Sequence, residues 1–122
     1  MTIDDLIARL EAATEGGREL DVALAKRLRQ PIKKKPVYKR GHYSGGKPVV
    51  LRTEDVASPY TTSLDAALTL VPEGHRLRLW WHHTGVWGCD VFPDGGGAIH
   101  RVLDRATPAL ALCIAALKAR KP

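Results

Sequence analysis

The sequence predicts a single α/β domain of the α+β kind, a layered sandwich of helices on a small antiparallel sheet of three to four strands. A chain of 122 residues is long enough for one core, and its 44% hydrophobic and 26% charged residues are globular proportions. Helical and strand periods follow one another in the order α-α-(β)-α-β-β-β-α. Consecutive strands joined by short turns predict an antiparallel meander, with the helices packed on it.

Residues 1–28 have the period of two helices. A stripe at i, i+3, i+4 and i+7 predicts the inner face of the first helix: Ile3, Leu6, Ile7 and Leu10. Thr2 and Asp5 have the spacing of an N-terminal cap, and Gly16 with Gly17 ends the helix. A second helix is expected from Arg18 to about Leu28, which completes a short helical hairpin.

The next segments are an irregular stretch and a compact helix. Residues 29–48, "RQPIKKKPVYKRGHYSGGKP", contain three prolines and three glycines, which predicts a basic loop or irregular strand inserted in the domain. A short strand is expected at Val49–Arg52. The segment "TTSLDAALTLVPEG" is typical of a helix capped by Thr62 or Ser63. Its buried stripe is expected to be Leu64, Ala67, Leu68 and Val71.

The segment "RLRLWWHHTGVWGCDV" predicts a hairpin with a three-residue loop at His83–Gly85. This register turns one apolar face toward the core: Leu77, Leu79, Trp81, Trp87, Cys89 and Val91. On the other face Arg78 pairs with Asp90 across the strands. If helices cover that face, the arrangement we favour, Trp80 is second-layer core. If the face is open, Arg78, Trp80 and His82 form an aromatic and cationic platform suited to a nucleobase and a phosphate.

A third strand and a last helix complete the predicted fold. The strand is "AIHRVLD", which follows the turn "PDGG". The helix begins with Thr107 as N-cap and Pro108 at its first position. Its inner face is expected to consist of Leu110, Cys113, Ile114 and Leu117.

The positive charge of the chain is concentrated in one segment. The net charge is +6, and the region Val22–Thr53 contains no acid and ten of the nineteen cations. Cations attract phosphates and interleaved aromatic rings stack on bases, so this region predicts a phosphate-bearing partner. The candidate binding residues, with three from the sheet, are Lys33, Lys34, Lys35, Tyr38, Lys39, Arg40, Tyr43, Arg78, Trp80 and His82. The alternative is a solvated loop whose charge serves solubility.

Catalytic and metal chemistry find little support in the sequence. Neither a CxxC nor an HxxxH pattern is present, and His82 and His83 are neighbours on a strand, which points them to opposite faces. Cys89 and Cys113 fall on predicted core faces, where thiols are inert. "GHYSGGKP" resembles a phosphate loop, but no helix follows it. We therefore predict a protein that is not an enzyme and has no cofactor or metal.

The compartment is predicted from what the sequence lacks. No apolar run reaches the roughly 18–20 residues of a membrane helix, and acids early in "MTIDDLIARLEAATEGG" argue against a secretory signal. Two cysteines are too few for a disulfide framework. We expect no membrane association and a cytoplasmic location.

Three segments resemble the signature blocks of the phage ABA sandwich domain family: "MTIDDLIARLEAATEGGREL", "YTTSLDAALTLVPEG" and "ATPALALCIAALKAR". The resemblance implies helices layered against a central sheet and a phage or prophage origin, with the bacterial host's cytoplasm as the compartment. It brings no catalytic motif, and the basic segment Lys26–Arg52 lies outside the blocks. A phage origin makes interference with a host defence system a hypothesis.

The functional prediction is a phage or prophage accessory protein that binds, without catalysis, a nucleic acid or a nucleotide-like ligand. One alternative is a structural or interaction module that contacts a host protein and takes no small ligand. A second alternative is a hydrolase-like enzyme that uses His82, His100 and Asp90. The oligomeric state is not predicted.

Overall fold

The computed structural model describes residues 2–121, and the side chains of residues 40 and 42–44 lie outside that description. The described chain has mixed α+β architecture, as predicted, with four helices and five strands. In chain order these are α1 Ile3–Ala12, α2 Arg18–Arg27, β1 Lys33–Ser44, β2 Lys47–Val56, α3 Leu64–Leu68, β3 His75–Trp81, β4 Trp87–Pro93, β5 His100–Arg105 and α4 Pro108–Arg120.

The strands form two separate antiparallel sheets rather than one. Strands β3, β4 and β5 lie in that order in the larger sheet, and β1 pairs only with β2 in the smaller one. The predicted strand count of three to four is therefore exceeded by one. The extra strand, β1, comes from the segment that was expected to be irregular.

Helix α4 is the central layer of the domain. It contacts β4 and β5 of the larger sheet, and it also contacts α1 and α3. Every residue from Ala109 to Leu117 is buried. The single inner face predicted for this helix is thus too narrow, because a helix packed against neighbours on several sides needs apolar residues all round.

The predicted helix starts are confirmed. The Thr2 hydroxyl accepts a hydrogen bond from the Asp5 backbone N–H at 3.1 Å, and the Asp5 carboxylate accepts one from the Thr2 N–H at 3.3 Å. Hydrogen bonding of the Thr2 side chain and of the Thr2 backbone N–H to the Asp5 carboxylate favours its ionised form and lowers the pKa of Asp5. Ser63 caps α3, and Thr107 caps α4 with Pro108 in its first turn. The inner stripe of α3 differs, since Leu68 is 41% exposed and Leu70 is buried.

Gly16 permits a close approach between the α1–α2 turn and the chain before α3. A Cβ at Gly16 would overlap the carbonyl group of Thr61. The Gly17 N–H donates to the Thr61 hydroxyl at 2.9 Å, and that hydroxyl donates to the buried Asp21 carboxylate at 2.7 Å. The Thr61 N–H donates to the same carboxylate oxygen at 2.8 Å, so this buried carboxylate accepts two hydrogen bonds.

The predicted β3–β4 hairpin is confirmed in its register. Trp81 lies opposite Trp87 and Arg78 opposite Asp90. Gly85 has φ +89°, the left-handed conformation that the three-residue loop requires. Cys89 and Val91 are buried against α4 as expected, but Trp81 is 59% exposed, so its assignment to the core is wrong.

The prediction of a basic loop or irregular insertion at residues 29–48 is wrong for most of that segment. Strands β1 and β2 form a long antiparallel hairpin that turns at Gly45 and Gly46, both with positive φ. The alternative of an irregular strand is the closer one, because the pairing shifts register after Val37 and again after Tyr38. We call the hairpin Lys33–Val56 the ribbon.

Candidate nucleic-acid interface

The ribbon is joined to the rest of the domain at one end. Its main contact is between β2 and α2, reinforced by an ion pair of Arg18 with Glu54. Ile32 and Ala57, which flank the two strands, pack against the core. Strands of 12 and 10 residues span about 33–40 Å at roughly 3.3 Å per residue. The ribbon therefore extends a double strand well beyond its anchor.

The cations of the ribbon differ in how they are paired. Lys34 donates to Asp55 on the facing strand, which lowers the pKa of Asp55. The Arg52 guanidinium lies 3.1 Å from the Glu54 carboxylate. The remaining lysines make no ion pair with a described residue and are exposed: Lys33, Lys35, Lys39 and Lys47. These four ammonium groups are available to an anionic partner.

Exposed apolar side chains interrupt the charge in the middle of the ribbon. Tyr38 is 52% exposed and lies opposite Val50, which is 51% exposed. Leu51 is the extra residue where the register shifts and is 55% exposed. Large apolar side chains at such exposure are typical of a surface that contacts something else. Two further predicted binding residues, Arg40 and Tyr43, lie in β1 with side chains outside the described part of the chain.

The outer face of the larger sheet carries a second group of predicted residues. Asp90 is 1% exposed, and its carboxylate accepts from Arg78 Nη2 at 3.1 Å and from Arg101 Nε and Nη2 at 3.0 and 3.2 Å. The hydrogen bonds that Arg101 donates to Asp90 raise the pKa of Arg101. The Arg78–Asp90 pair is as predicted. Sequence reasoning missed Arg101, although pairing β5 with β4 in register would have placed it opposite Asp90.

This outer face is open, so the covered arrangement favoured for Trp80 is wrong. The side chains of Arg76, Arg78 and Arg101 are 68%, 60% and 56% exposed, because α4 packs on the opposite face. The ring of Trp80 lies against Gly88 on the neighbouring strand, where a Cβ would overlap it. The Arg78 guanidinium also lies 5.4 Å from the centre of the Phe92 ring.

The two adjacent histidines lie beyond the end of β3. His82 and His83 have ring centres 4.3 Å apart, so the expectation that they point to opposite faces is wrong. Strand alternation does not apply there, because β3 ends at Trp81. The His82 Nδ1 lies 2.8 Å from the Thr84 hydroxyl oxygen, so this ring nitrogen has a hydrogen-bond partner within the loop. His82 is exposed and lies past the last paired residue of β3, Trp81. It is therefore at the edge of the outer face and not among its paired residues.

The structure brings together no catalytic set among the described residues. Burial raises the pKa of both thiols, Cys89 and Cys113, to about 12, so both are protonated at neutral pH. Asp90 bonds to two arginines, and no hydrogen bond joins it to His82 or His100. Among the described side chains, residues 2–121 without 40 and 42–44, no three potential metal ligands of the His, Cys, Asp and Glu types cluster.

Comparison of the chain with protein-family models, with curated proteins and with solved structures found no match. None of the helices described here is both long and apolar enough to cross a membrane. The function is therefore inferred from the geometry of the chain itself.

Proposed function

We propose that this protein is a phage or prophage accessory protein that binds nucleic acid through the ribbon and has no catalytic step. The observation that carries the proposal is the form of the basic segment. It is a paired double strand that extends from one anchor and presents an exposed tyrosine and four lysines that make no ion pair with a described residue. The hypothesis of interference with a host defence system builds on this binding role.

The dimensions and chemistry of the ribbon support a nucleic-acid partner. The major groove of B-DNA admits a two-stranded β-ribbon, and one turn of duplex is about 34 Å, close to the length of the ribbon. Lysines contact phosphates without reading sequence, and each contact releases condensed counterions. Tyr38 offers a stacking surface, and Leu51 an apolar wedge, for exposed bases.

The test is binding of a fluorescent duplex and of a single strand by anisotropy over a range of salt. We expect affinity to fall linearly with salt on a log–log plot, with a slope near −0.9 per phosphate contact on duplex. The double substitution Lys39→Gln with Lys47→Gln should reduce the slope by about 2 and weaken binding to every sequence similarly. No binding at low salt by the unchanged protein would end the proposal.

Two single substitutions with the same change in net charge provide the matched control. Lys39 has no ion-pair partner among the described residues, whereas Lys34 is paired with Asp55. Lys39→Gln should therefore cost one phosphate contact and lower the salt slope by about 1, and Lys34→Gln should change it less. Equal effects would mean that the ribbon acts only through net charge and makes no defined contacts.

The open outer face supports a second candidate function, binding of a nucleotide-like ligand. The Trp80 ring packs on Gly88, and Arg78 and Arg101, which bond to Asp90, lie on the same open face of the sheet. An aromatic ring and guanidinium groups on one open face fit a base and a phosphate. Quenching of tryptophan fluorescence by a nucleoside monophosphate, lost in Trp80→Leu but kept in Lys39→Gln, would support it. A protein partner that binds the ribbon when no oligonucleotide does would replace both candidates.

A further inference from the structure

A second basic surface, with no ribbon residue in its lining, lies in a cleft between α1 and α2. The cleft has a volume of about 850 Å³, within the range of small-molecule sites. Its apolar side consists of Ile3, Val22 and Ala23. Its polar side carries four cations, namely Arg9, Lys26, Arg27 and Arg29, against the single acid Glu19. A concave site with this composition is complementary to an anion that has an apolar body.

Arg27 and Arg29 also line an adjoining cavity of about 330 Å³, together with Ile3 and Arg120. Neither Arg27 nor Arg29 makes an ion pair with a described residue. By contrast, other arginines of the chain bond to a carboxylate or to a backbone carbonyl. Arg120, for example, donates to the Leu70 carbonyl at 2.9 Å. The two guanidinium groups where the cavities meet therefore have no ion-pair partner in the part of the chain that the structure describes.

The backbone conformation of Arg29 also supports a role for its side chain in the cleft. Arg29 has φ +55°, the left-handed conformation, immediately after the C-cap of α2. The Gln30 N–H donates to the Ala25 carbonyl at 2.8 Å, and the Arg29 N–H to the Lys26 carbonyl at 3.4 Å, which is the Schellman pattern. Glycine is the usual residue at this position because it has no Cβ. An arginine here costs stability and places a cation at the cleft instead.

We propose that the cleft between α1 and α2 binds a small organic phosphate, a phosphate ester with an apolar body, independently of the ribbon. The arginine forks hold the phosphate oxygens, since a guanidinium offers paired N–H donors that match them. The apolar body lies on the aliphatic wall of Ile3, Val22 and Ala23. Phosphate contact alone would not need that wall, and an apolar ligand would not need the guanidinium groups of Arg27 and Arg29.

The test uses phenyl phosphate as the probe, with inorganic phosphate and phenol as its two halves, measured by isothermal titration calorimetry. We expect phenyl phosphate to bind at least tenfold more tightly than inorganic phosphate, and phenol not to bind. Arg29→Gly should weaken phenyl phosphate about tenfold, since the loss of one charge-assisted pair is worth about one decade in Kd. This variant keeps the left-handed backbone, so loss of the fold does not explain the loss of binding.

Two further variants separate this site from the ribbon. Arg27→Ala should also weaken phenyl phosphate, whereas Lys39→Gln in the ribbon should leave it unchanged while it weakens oligonucleotide binding. Equal binding by Arg29→Gly and the unchanged protein would overturn the proposal, and so would equal affinity for phenyl phosphate and inorganic phosphate. Failure of oligonucleotide binding with retained phenyl phosphate binding would remove the ribbon function alone.

Discussion

At the scale of single residues, two positions carry a charged side chain at a cost to folding stability. Arg29 occupies the left-handed position after α2, and Asp90 is a buried carboxylate on the outer side of the sheet. Both lie in the arginine-rich surfaces described above. Their energetics can be tested without any ligand.

Substitution of Arg29 by glycine should raise the free energy of unfolding by about 1 kcal/mol. A non-glycine residue in the left-handed region costs about 1–3 kcal/mol, and part of this gain is offset because glycine increases the conformational entropy of the unfolded chain. Urea unfolding followed by circular dichroism measures this. Arg27→Gly is the control, since Arg27 is the last residue of α2 and has helical backbone, so glycine there should lower stability, by up to about 1 kcal/mol. A loss of stability in Arg29→Gly would mean that the guanidinium is a structural contact.

Substitution of Asp90 by asparagine should lower the free energy of unfolding by about 1–3 kcal/mol, because it removes the charge that two arginines bond in a site closed to water. The matched control is Asp94→Asn. Asp94 pairs with Arg76, but both side chains are more than half exposed, so the change should be within about 0.5 kcal/mol. Similar losses in the two variants would show that burial of Asp90 adds nothing to its ion pairs.

At the scale of elements, the β3–β4 hairpin combines a predictable register with a contact that orients one aromatic ring. Trp80 lies across from Gly88, and its ring occupies the space that any side chain at Gly88 would need. The glycine thus determines where the indole lies on the open face. The ring is positioned by the neighbouring strand and not by a covering helix.

Substitution of Gly88 by alanine should displace the Trp80 ring and lower stability by about 1–3 kcal/mol, the usual range for a side chain forced into occupied space. Near-ultraviolet circular dichroism and tryptophan fluorescence report the displacement, and thermal unfolding reports the stability. Gly17→Ala is the control, since a Cβ there meets nothing within 4 Å. An unchanged tryptophan spectrum in Gly88→Ala would contradict the packing of the ring on the glycine.

At the scale of the whole molecule, both cysteines are buried in the core that surrounds α4. Cys89 is on β4, and Cys113 on α4 donates through its thiol to the Tyr60 carbonyl at 3.1 Å. Burial raises the pKa of each thiol from 9.0 to about 12. Such thiols are protonated in the folded protein and ionise freely only after unfolding.

This shift makes stability depend on pH in the alkaline range. Because the folded pKa is raised, the stabilisation is complete below about pH 9 and is lost as the pH rises toward about 12. The double variant Cys89→Ala with Cys113→Ala should therefore lose less stability between pH 8 and pH 10.5, roughly, than the unchanged protein. Urea unfolding at the two pH values measures the difference. Parallel losses in both proteins would show that the thiols are not desolvated.

Whether a feature of the fold could be predicted from the sequence depends on how far apart along the chain the residues that determine it are. The caps at Thr2 and Thr107 and the β3–β4 register follow from residues within a few positions of one another, so local chemistry determines them. The ribbon was missed because an exposed double strand has no buried face and therefore no apolar alternation. Its lysines and prolines, typical of protected edge strands, resemble those of a loop.

The sequence by itself determined the fold class, the order of the elements other than β1, the hairpin register and the place of the positive charge. Only the tertiary structure decided which side chains meet: Arg101 with Asp90, Trp80 with Gly88, and α1 with α2 around a basic cleft. It also decided that α4 is enclosed and that Trp81 is exposed. The physical reason is that caps and turns are satisfied by neighbouring backbone groups, whereas burial depends on which elements from distant parts of the chain cover a face.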